Sequence, residues 1–299
     1  MVPDVPIEKI FKGVLPFIAG DLVSLPILIA IQQIRGCVME FVFLGTGAGS
    51  GVPAFYCGCK ACMEALTVPQ YRRTRCAIAA LGNKNFLFDA PPELASQLLR
   101  EHIRAMDYLI LTHAHPDHCA GLGDLEICTR FHRRDVLPAV MSRETLTQLE
   151  GGFESANDWL DTTLLEPGQT MDLFGLKLTA LEVSHAPGTL GYLLEHNGSR
   201  IAYIPDTGPL PRETRTRLAG IERLILDTTF WGENLYPNQH LSFKETVATA
   251  QQLEVRELYL THLSMHYTIP VTNGEIEQEI EQYNGRVNLA YDGLRLLLE

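Results

Sequence analysis

The 299-residue chain is short of positive charge: 24 Lys and Arg stand against 36 Asp and Glu, a formal net charge of −12. That balance argues against a general electrostatic footprint for nucleic acid, which needs a basic stripe to meet phosphates, and it favours a small substrate. A local basic patch or bound metal ions would reverse the field only around a site. No basic insertion that could grip an RNA interrupts the chain, and from residue 39 onward there is neither an internal repeat nor a low-complexity linker. One domain is therefore expected over residues 39–299. A disulfide framework is also missing, because seven Cys is an odd number and three of them crowd into Cys57-Gly58-Cys59-Lys60-Ala61-Cys62. That crowding suits thiolate metal binding in a reducing, cytoplasmic setting. Cys37, Cys76, Cys119 and Cys128 are scattered and read as small buried hydrophobes.

The one long apolar run lies near the amino end, at residues 10–34, and is broken by Asp21, Pro16 and Pro26. It approaches the length of a membrane span, but a central Asp is costly in lipid, and no small-residue cleavage pattern marks a signal peptide. The run resembles the last hydrophobic segment of the large permease subunit of tripartite ATP-independent periplasmic transporters. That resemblance implies a fusion remnant, or a start site placed upstream of Met39. An amphipathic helix packed on the domain or on a second subunit is the equal alternative. Residues 1–38 are set apart as an extension, and membrane contact is expected only if residues 10–34 are retained.

Residues 40–45 form a short apolar run that enters Gly45-Thr46-Gly47-Ala48-Gly49-Ser50-Gly51. This Gly-rich turn lacks the Lys-Ser/Thr of a P-loop, so it reads as tight turning beside a metal site. Further strands are expected at 76–80, 85–88, 108–112, 176–183, 191–195, 200–204, 223–226 and 257–260. Helices are expected at 93–102, 143–151 and 242–253, the last capped by Ser242. Strands mixed with outer helices imply a layered α/β domain.

The chemistry concentrates in His113-Ala114-His115-Pro116-Asp117-His118, on the turn leaving the apolar run Tyr108-Leu109-Ile110-Leu111. Imidazole suits Zn, Fe and Mn, and a carboxylate adds the oxygen donor expected where two divalent ions share a site. A chance occurrence of this pattern in such a chain is on the order of one in a thousand. Ser184-His185, Pro205-Asp206-Thr207 and Thr261-His262 each end a strand-like segment and could each project one ligand inward.

This ordered set resembles the metallo-β-lactamase superfamily over nearly all of residues 39–299, which implies a four-layered αββα sandwich with a metal site at one edge of its paired sheets. The resemblance further implies that His113, His115 and His185 hold one divalent ion, Zn or Mn, and that Asp117, His118 and His262 hold the second, with Asp206 bridging them. Asp89, in Phe88-Asp89-Ala90, takes the place of an acidic residue that orients a ligand imidazole, although Pro91-Pro92 replaces the usual glycine. Two cations about 3.5–4 Å apart activate a shared water and clamp an in-line displacement at phosphorus, so phosphodiester hydrolysis is the natural reaction. The superfamily's flavin-linked redox branch fits less well, and no flavodoxin-like domain is appended.

Cys57, Cys59 and Cys62 offer three thiolates for a structural zinc, and His266, four residues after His262, could complete a tetrahedral site. With the basic segment Gln70-Tyr71-Arg72-Arg73-Thr74-Arg75-Cys76, the cysteine loop resembles the phosphoribosyl 1,2-cyclic phosphate phosphodiesterases of the carbon–phosphorus lyase pathway. The two downstream histidines are spaced one residue further apart than in that family. The resemblance implies His240 as general acid beside Asp117 in the catalytic machinery, and Arg72 and Arg73 as contacts for substrate phosphate. His102, His132 and His196 have no motif around them. The expected function is a binuclear metal-dependent phosphodiesterase acting on a small cyclic phosphodiester, with no stable nucleic-acid partner and with a homodimer compatible. The rivals are a transfer-RNA 3′ processing nuclease and a cofactor-biosynthesis protein similar to pyrroloquinoline-quinone B.

Overall fold

Strand β1 (Met39–Gly45) shows how both faces of a strand come to be covered: Phe41 and Phe43 point one way, Val42 and Leu44 the other, and all four are fully buried. A run this apolar, with no polar alternation, belongs between two layers. In the computed structural model, which describes residues 38–152 and 156–298, those layers are a second sheet on one side and helices on the other. The apolar run at 10–34 and Cys37 lie outside the described residues.

The first sheet contains β1, β2 (Ala77–Leu81), β3 (Asn85–Phe88), β4 (Tyr108–Ile110), β5 (Leu137–Met141) and β6 (Leu160–Leu164) in that order, with the carboxy-terminal β14 (Arg295–Leu298) on the other edge of β1. The second runs β7 (Thr170–Leu173), β8 (Leu176–Glu182), β9 (Leu190–His196), β10 (Ser199–Ile204), β11 (Arg223–Asp227), β12 (Glu257–Thr261) and β13 (Val287–Leu289). Each sheet is antiparallel on one side and parallel from β3 to β6 and from β10 to β13. The parallel halves need crossover connections, and the helices supply them.

Phe41, Phe43 and Phe88 of the first sheet meet Leu178, Tyr192 and Tyr203 of the second in the central layer. Outside the first sheet, α2 (Leu94–Arg100), α4 (Leu122–Ile127), α5 (Arg143–Gly152) and α6 (Ala156–Trp159) bring Leu94, Leu122, Leu149 and Trp159 against Leu87, Leu109 and Ala139. Outside the second, α1 (Lys60–Thr67), α7 (Arg212–Leu218), α8 (Phe243–Gln252) and α9 (Asn273–Ile280) bring Ala65, Leu218, Val247 and Ile276 against Leu224, Leu226 and Leu260. The four-layered αββα sandwich is the expected one. Phe88 is fully buried and contacts the rings of Phe41, Tyr192 and Tyr203 at centroid distances of 6.4, 6.0 and 6.0 Å. Phe88→Ala is therefore expected to cost about 3–5 kcal/mol in urea unfolding, and a loss below about 1 kcal/mol would contradict this packing.

The expected helix at 242–253 is α8, opened by a capping box in which the Ser242 amide donates to Glu245 Oε2 at 2.7 Å. The expected strand at 108–112 stops at Ile110, because the following residues turn away to form the site. Strands β5, β6, β7, β13 and β14 were not expected. β6 is an edge strand whose residues alternate between cover and solvent, and β13 has only three residues, so neither carries an apolar run.

Candidate metal centre

The centre sits at one edge of the paired sheets, beyond the carboxy ends of β4, β8, β10 and β12. His113 and His115 follow β4; Asp117 and His118 lie in the short α3 (Pro116–Cys119), whose first residue is the Pro favoured there; His185 follows β8, Asp206 follows β10 and His262 follows β12. His262 and Asp89 adopt left-handed backbone angles, φ 56° and 65°. Such angles are uncommon for residues with a side chain, and here each turns a strand end back so that the side chain faces its neighbours.

Ligand atoms of His113, His115 and His185 lie within 4.8 Å of one another, as do those of Asp117, His118 and His262, and those of His113, His118 and Asp206. Asp206 stands between the two triads: its Oδ2 is 2.9 Å from His118 Nε2, and its Oδ1 is 3.2 Å from His262 Nε2 and 3.9 Å from His185 Nε2. All seven sequence-selected ligands converge.

The outer nitrogens are already committed. His113 Nδ1 hydrogen-bonds Thr112 Oγ1 at 2.9 Å, His118 Nδ1 pairs with Asp89 Oδ2 at 2.9 Å, and His262 Nδ1 hydrogen-bonds Thr229 Oγ1 at 2.8 Å. His185 Nδ1 hydrogen-bonds the Gln239 carbonyl at 2.9 Å. Fixing the outer nitrogen sets each ring's orientation and leaves Nε2 to face the centre. Asp89 is itself held by the Thr112 amide at 2.8 Å, so it stands where the sequence suggested, behind a ligand imidazole.

His113 Nε2 is buried and faces inward with no hydrogen-bond partner, and Nε2 of His118 and His262 meet only the oxygens of Asp206 there, at 2.9 and 3.2 Å. Buried polar atoms are nearly always paired, and these nitrogens and carboxylate oxygens converge on a common space, so the donor set fits divalent cations. The electrostatics agree. Burial and the neighbouring imidazoles hold His113 below the ordinary histidine range, and burial does the same to His115. For Asp117 and Asp206 burial opposes ionisation, yet His118 and His262 outweigh it and keep both carboxyls well below their usual range. His118 is driven the other way: burial disfavours its charge, but Asp206, Asp117 and Asp89 raise it well above its usual value. A proton held among three carboxylates occupies the place a cation takes.

Sequence reasoning missed Asp227, at the end of β11. It accepts from the Thr207 amide at 3.0 Å, the Thr229 amide at 2.8 Å, Thr229 Oγ1 at 2.9 Å and the Leu241 amide at 3.3 Å, and it pairs with His240 Nδ1 at 2.7 Å. Both of its oxygens are engaged and hold His240 in place, and ligand atoms of Asp206, Asp227, His240 and His262 lie within 4.8 Å of one another. Burial disfavours the His240 charge, but Asp227 overrides it and lifts the pKa to about 9. The available signal was an acidic residue closing the apolar run Leu224-Ile225-Leu226.

The sulfurs of Cys57, Cys59 and Cys62 lie within 4.8 Å of one another at the start of α1. His266 Nδ1 is 3.6 Å from Cys62 Sγ, and its Nε2 hydrogen-bonds Ser50 Oγ at 2.9 Å. Burial pushes the Cys62 thiol up to about 12, so that sulfur stays protonated unless a cation displaces the proton.

Arg72 and Arg73 require correction. Arg73 is buried, with Nη1 donating to Thr46 Oγ1 at 2.9 Å and the Ala290 carbonyl at 2.5 Å, and Nη2 donating to Asn273 Oδ1 at 2.6 Å. Arg72 Nε donates to the Ala65 carbonyl at 3.2 Å. Neither lines the cavity of about 530 Å³ over the centre, where Ser50, Phe230, Tyr236, Gln239, His240 and Tyr267 join the ligands. In the structure Arg73 ties loops together away from the cavity, and Arg72 braces the Ala65 carbonyl.

The chain belongs to the β-lactamase superfamily: the family model described as "Beta-lactamase superfamily domain" matches residues 84–263. Fold and ligand set make it a metallo-β-lactamase-fold hydrolase that binds divalent metal. Within that superfamily it resembles the PhnP family. A crystal structure of a diphosphatase from that family superposes with a TM-score of 0.75 at 26% identity, covering 87% of this chain and 97% of that one. Zn²⁺-bound PqqB from Methylobacterium extorquens superposes with a TM-score of 0.74 at 22% identity, covering 86% of this chain and 99% of that one, a likeness of fold. Coenzyme PQQ synthesis protein B of Methylobacterium radiotolerans is 29% identical over 218 residues, 64% of this chain and 73% of that protein. An octanoyltransferase of Porphyromonas gingivalis is 26% identical over 275 residues, 87% of this chain but 52% of that protein, so the chain spans about half its length. Among the described residues, no helix is long and apolar enough to cross a membrane.

Proposed function

We propose that the chain is a binuclear metal-dependent phosphodiesterase acting on a small, in the first instance cyclic, phosphodiester. His113, His115 and His185 would hold one ion, and Asp117, His118 and His262 the other, with Asp206 shared. The observation that carries this reading is the position of Asp206 between two complete triads, with imidazole nitrogens on both sides. When bound, the two ions supply an activated water and offset the negative charge that grows on the phosphoryl oxygens. His240 lines the same cavity with Nδ1 paired to Asp227, which leaves Nε2–H to protonate a leaving alkoxide. The fold-wide likeness to a PhnP-family diphosphatase supports cleavage at phosphorus.

The test is turnover of phosphodiesters by the purified chain loaded with Mn or Zn, with phosphoribosyl cyclic phosphate and bis(p-nitrophenyl) phosphate as first substrates. Metal-dependent release of a phosphomonoester from at least one is expected. No cleavage of either, with both metal positions filled, would sink the proposal and favour a non-hydrolytic role in cofactor biosynthesis.

The cysteine loop, closed by His266, would hold a third ion with a structural role. Cys62→Ser is expected to lower metal content by about one ion per chain and to reduce thermal stability, while the ions at the histidine triads remain. Metal analysis alongside a melting curve checks it; unchanged zinc content would count against a site there.

A further inference from the structure

The Gly-rich turn after β1 does more than change the direction of the chain. Gly49 lies directly against a ligand of the metal centre: a Cβ there would stand 3.0 Å from Asp117 Oδ2. Arg75, itself paired with Glu93, holds the turn by donating from Nε to the Gly49 carbonyl at 2.9 Å, and the Gly51 amide closes it on the Ala48 carbonyl at 2.8 Å. Ser50, the next residue along, is half-buried and lines the cavity. Its Oγ is 2.9 Å from His266 Nε2, and His266 Nδ1 is 3.6 Å from Cys62 Sγ. One hydroxyl and one imidazole therefore join the cysteine loop to the cavity over the histidine centre.

A metal ion in the loop would give that contact a direction. Zn–S and Zn–N bonds of about 2.3 and about 2.1 Å at a tetrahedral angle put sulfur and nitrogen about 3.6 Å apart, which is the separation of Cys62 Sγ and His266 Nδ1. With Nδ1 on a cation, the neutral ring carries its proton on Nε2 and donates it to Ser50 Oγ. A hydroxyl that accepts from one neighbour keeps its own proton to give to another. When no cation holds Nδ1, the opposite tautomer is also open, and in it Nε2 takes the Ser50 proton away from the cavity. The other hydroxyls of the lining are more committed. Thr229 Oγ1 donates to Asp227 Oδ1 at 2.9 Å, and the Tyr267 hydroxyl lies 2.9 Å from that of Tyr56, which also meets Ser50.

Resting on the phosphodiesterase reading, we infer that Ser50 is a substrate-binding residue whose hydroxyl donates to a phosphoryl oxygen at the metal centre, and that the cysteine-loop ion, acting through the positioning residue His266, sets the direction of that hydrogen bond. The loop ion then tunes phosphate affinity as well as holding the loop together.

Calorimetric titration of the metal-loaded full chain with inorganic phosphate tests the inference without relying on turnover. Ser50→Ala is expected to weaken phosphate binding about tenfold, the scale of a hydrogen bond to a charged group, while metal content stays unchanged. Ser50→Thr, which keeps the hydroxyl, should bind within about twofold of the wild type. Replacing Cys57 and Cys59 together by Ser leaves Cys62 and His266 in place with too few ligands for the loop ion. That change is expected to weaken phosphate about fivefold when Ser50 is present and to have no further effect in the Ser50→Ala background. The inference is overturned if Ser50→Ala binds phosphate as the wild type does, if Ser50→Thr is as weak as Ser50→Ala, or if emptying the loop changes affinity equally with and without Ser50. Failure of the parent reading is a separate result: a metal-loaded chain that cleaves no phosphodiester overturns the reaction, whereas the phosphate affinities decide the role of Ser50.

Discussion

Asp206→Asn is expected to lower phosphodiester turnover by on the order of a thousandfold and to take one of two ions from the histidine centre. The substitution keeps the shape of the side chain and removes its charge. In the wild type, Asp206 is 3% exposed and reaches both triads, with one oxygen 2.9 Å from His118 Nε2 and the other 3.2 Å from His262 Nε2. An amide offers one neutral oxygen and an N–H₂ that no cation accepts, so the shared position is lost even though the fold persists. A metal centre contributes several kcal/mol of charge stabilisation in such reactions, and about 4 kcal/mol corresponds to roughly a thousandfold in rate. Kinetics, metal analysis and circular dichroism on the same sample read rate, stoichiometry and fold. A variant with two ions and more than a tenth of wild-type activity would remove Asp206 from the proposed role.

His240→Ala is the second large effect, and its size depends on the leaving group. With an alkyl phosphodiester, whose alkoxide is a strong base, the loss is expected at about 10²–10⁴-fold, the usual contribution of a general acid. With bis(p-nitrophenyl) phosphate the loss should shrink to about tenfold or less, because p-nitrophenolate departs without a proton. Metal content is expected to stay at two ions, since Nδ1 of His240 is engaged by Asp227 at 2.7 Å; loss of an ion would make His240 a ligand. Asp227→Asn should show the same leaving-group pattern more weakly, as His240 loses the carboxylate 2.7 Å away that orients it and retains its proton. Equal losses on both substrates would mean that His240 orders the cavity and does not transfer a proton.

The metal centre was the most legible part of the chain because its information is local. His113, His115, Asp117 and His118 sit within six residues, and His185, Asp206 and His262 each close a strand whose apolar side chains announce it. The sandwich was legible for the same reason: strands such as β1 and β11 are apolar on both faces only because both faces are covered. What escaped depends on contacts between distant segments. Asp227 acquires meaning only when β11 brings it to His240, and Thr112 and Thr229 only when their hydroxyls meet ligand rings. Arg73 misled because its role is fixed by Ala290 and Asn273, 217 and 200 residues away in sequence. A guanidinium in a basic segment looks exposed until the fold surrounds it.

The most direct measurement of a shared two-metal centre is anomalous scattering from crystals of the chain loaded with Mn or Zn. The expected result is two peaks about 3.5–4 Å apart, one against His113, His115 and His185 and the other against Asp117, His118 and His262, with Asp206 touching both. A single peak on the first triad, or metal confined to the Cys57, Cys59 and Cys62 loop under saturating metal, would contradict it.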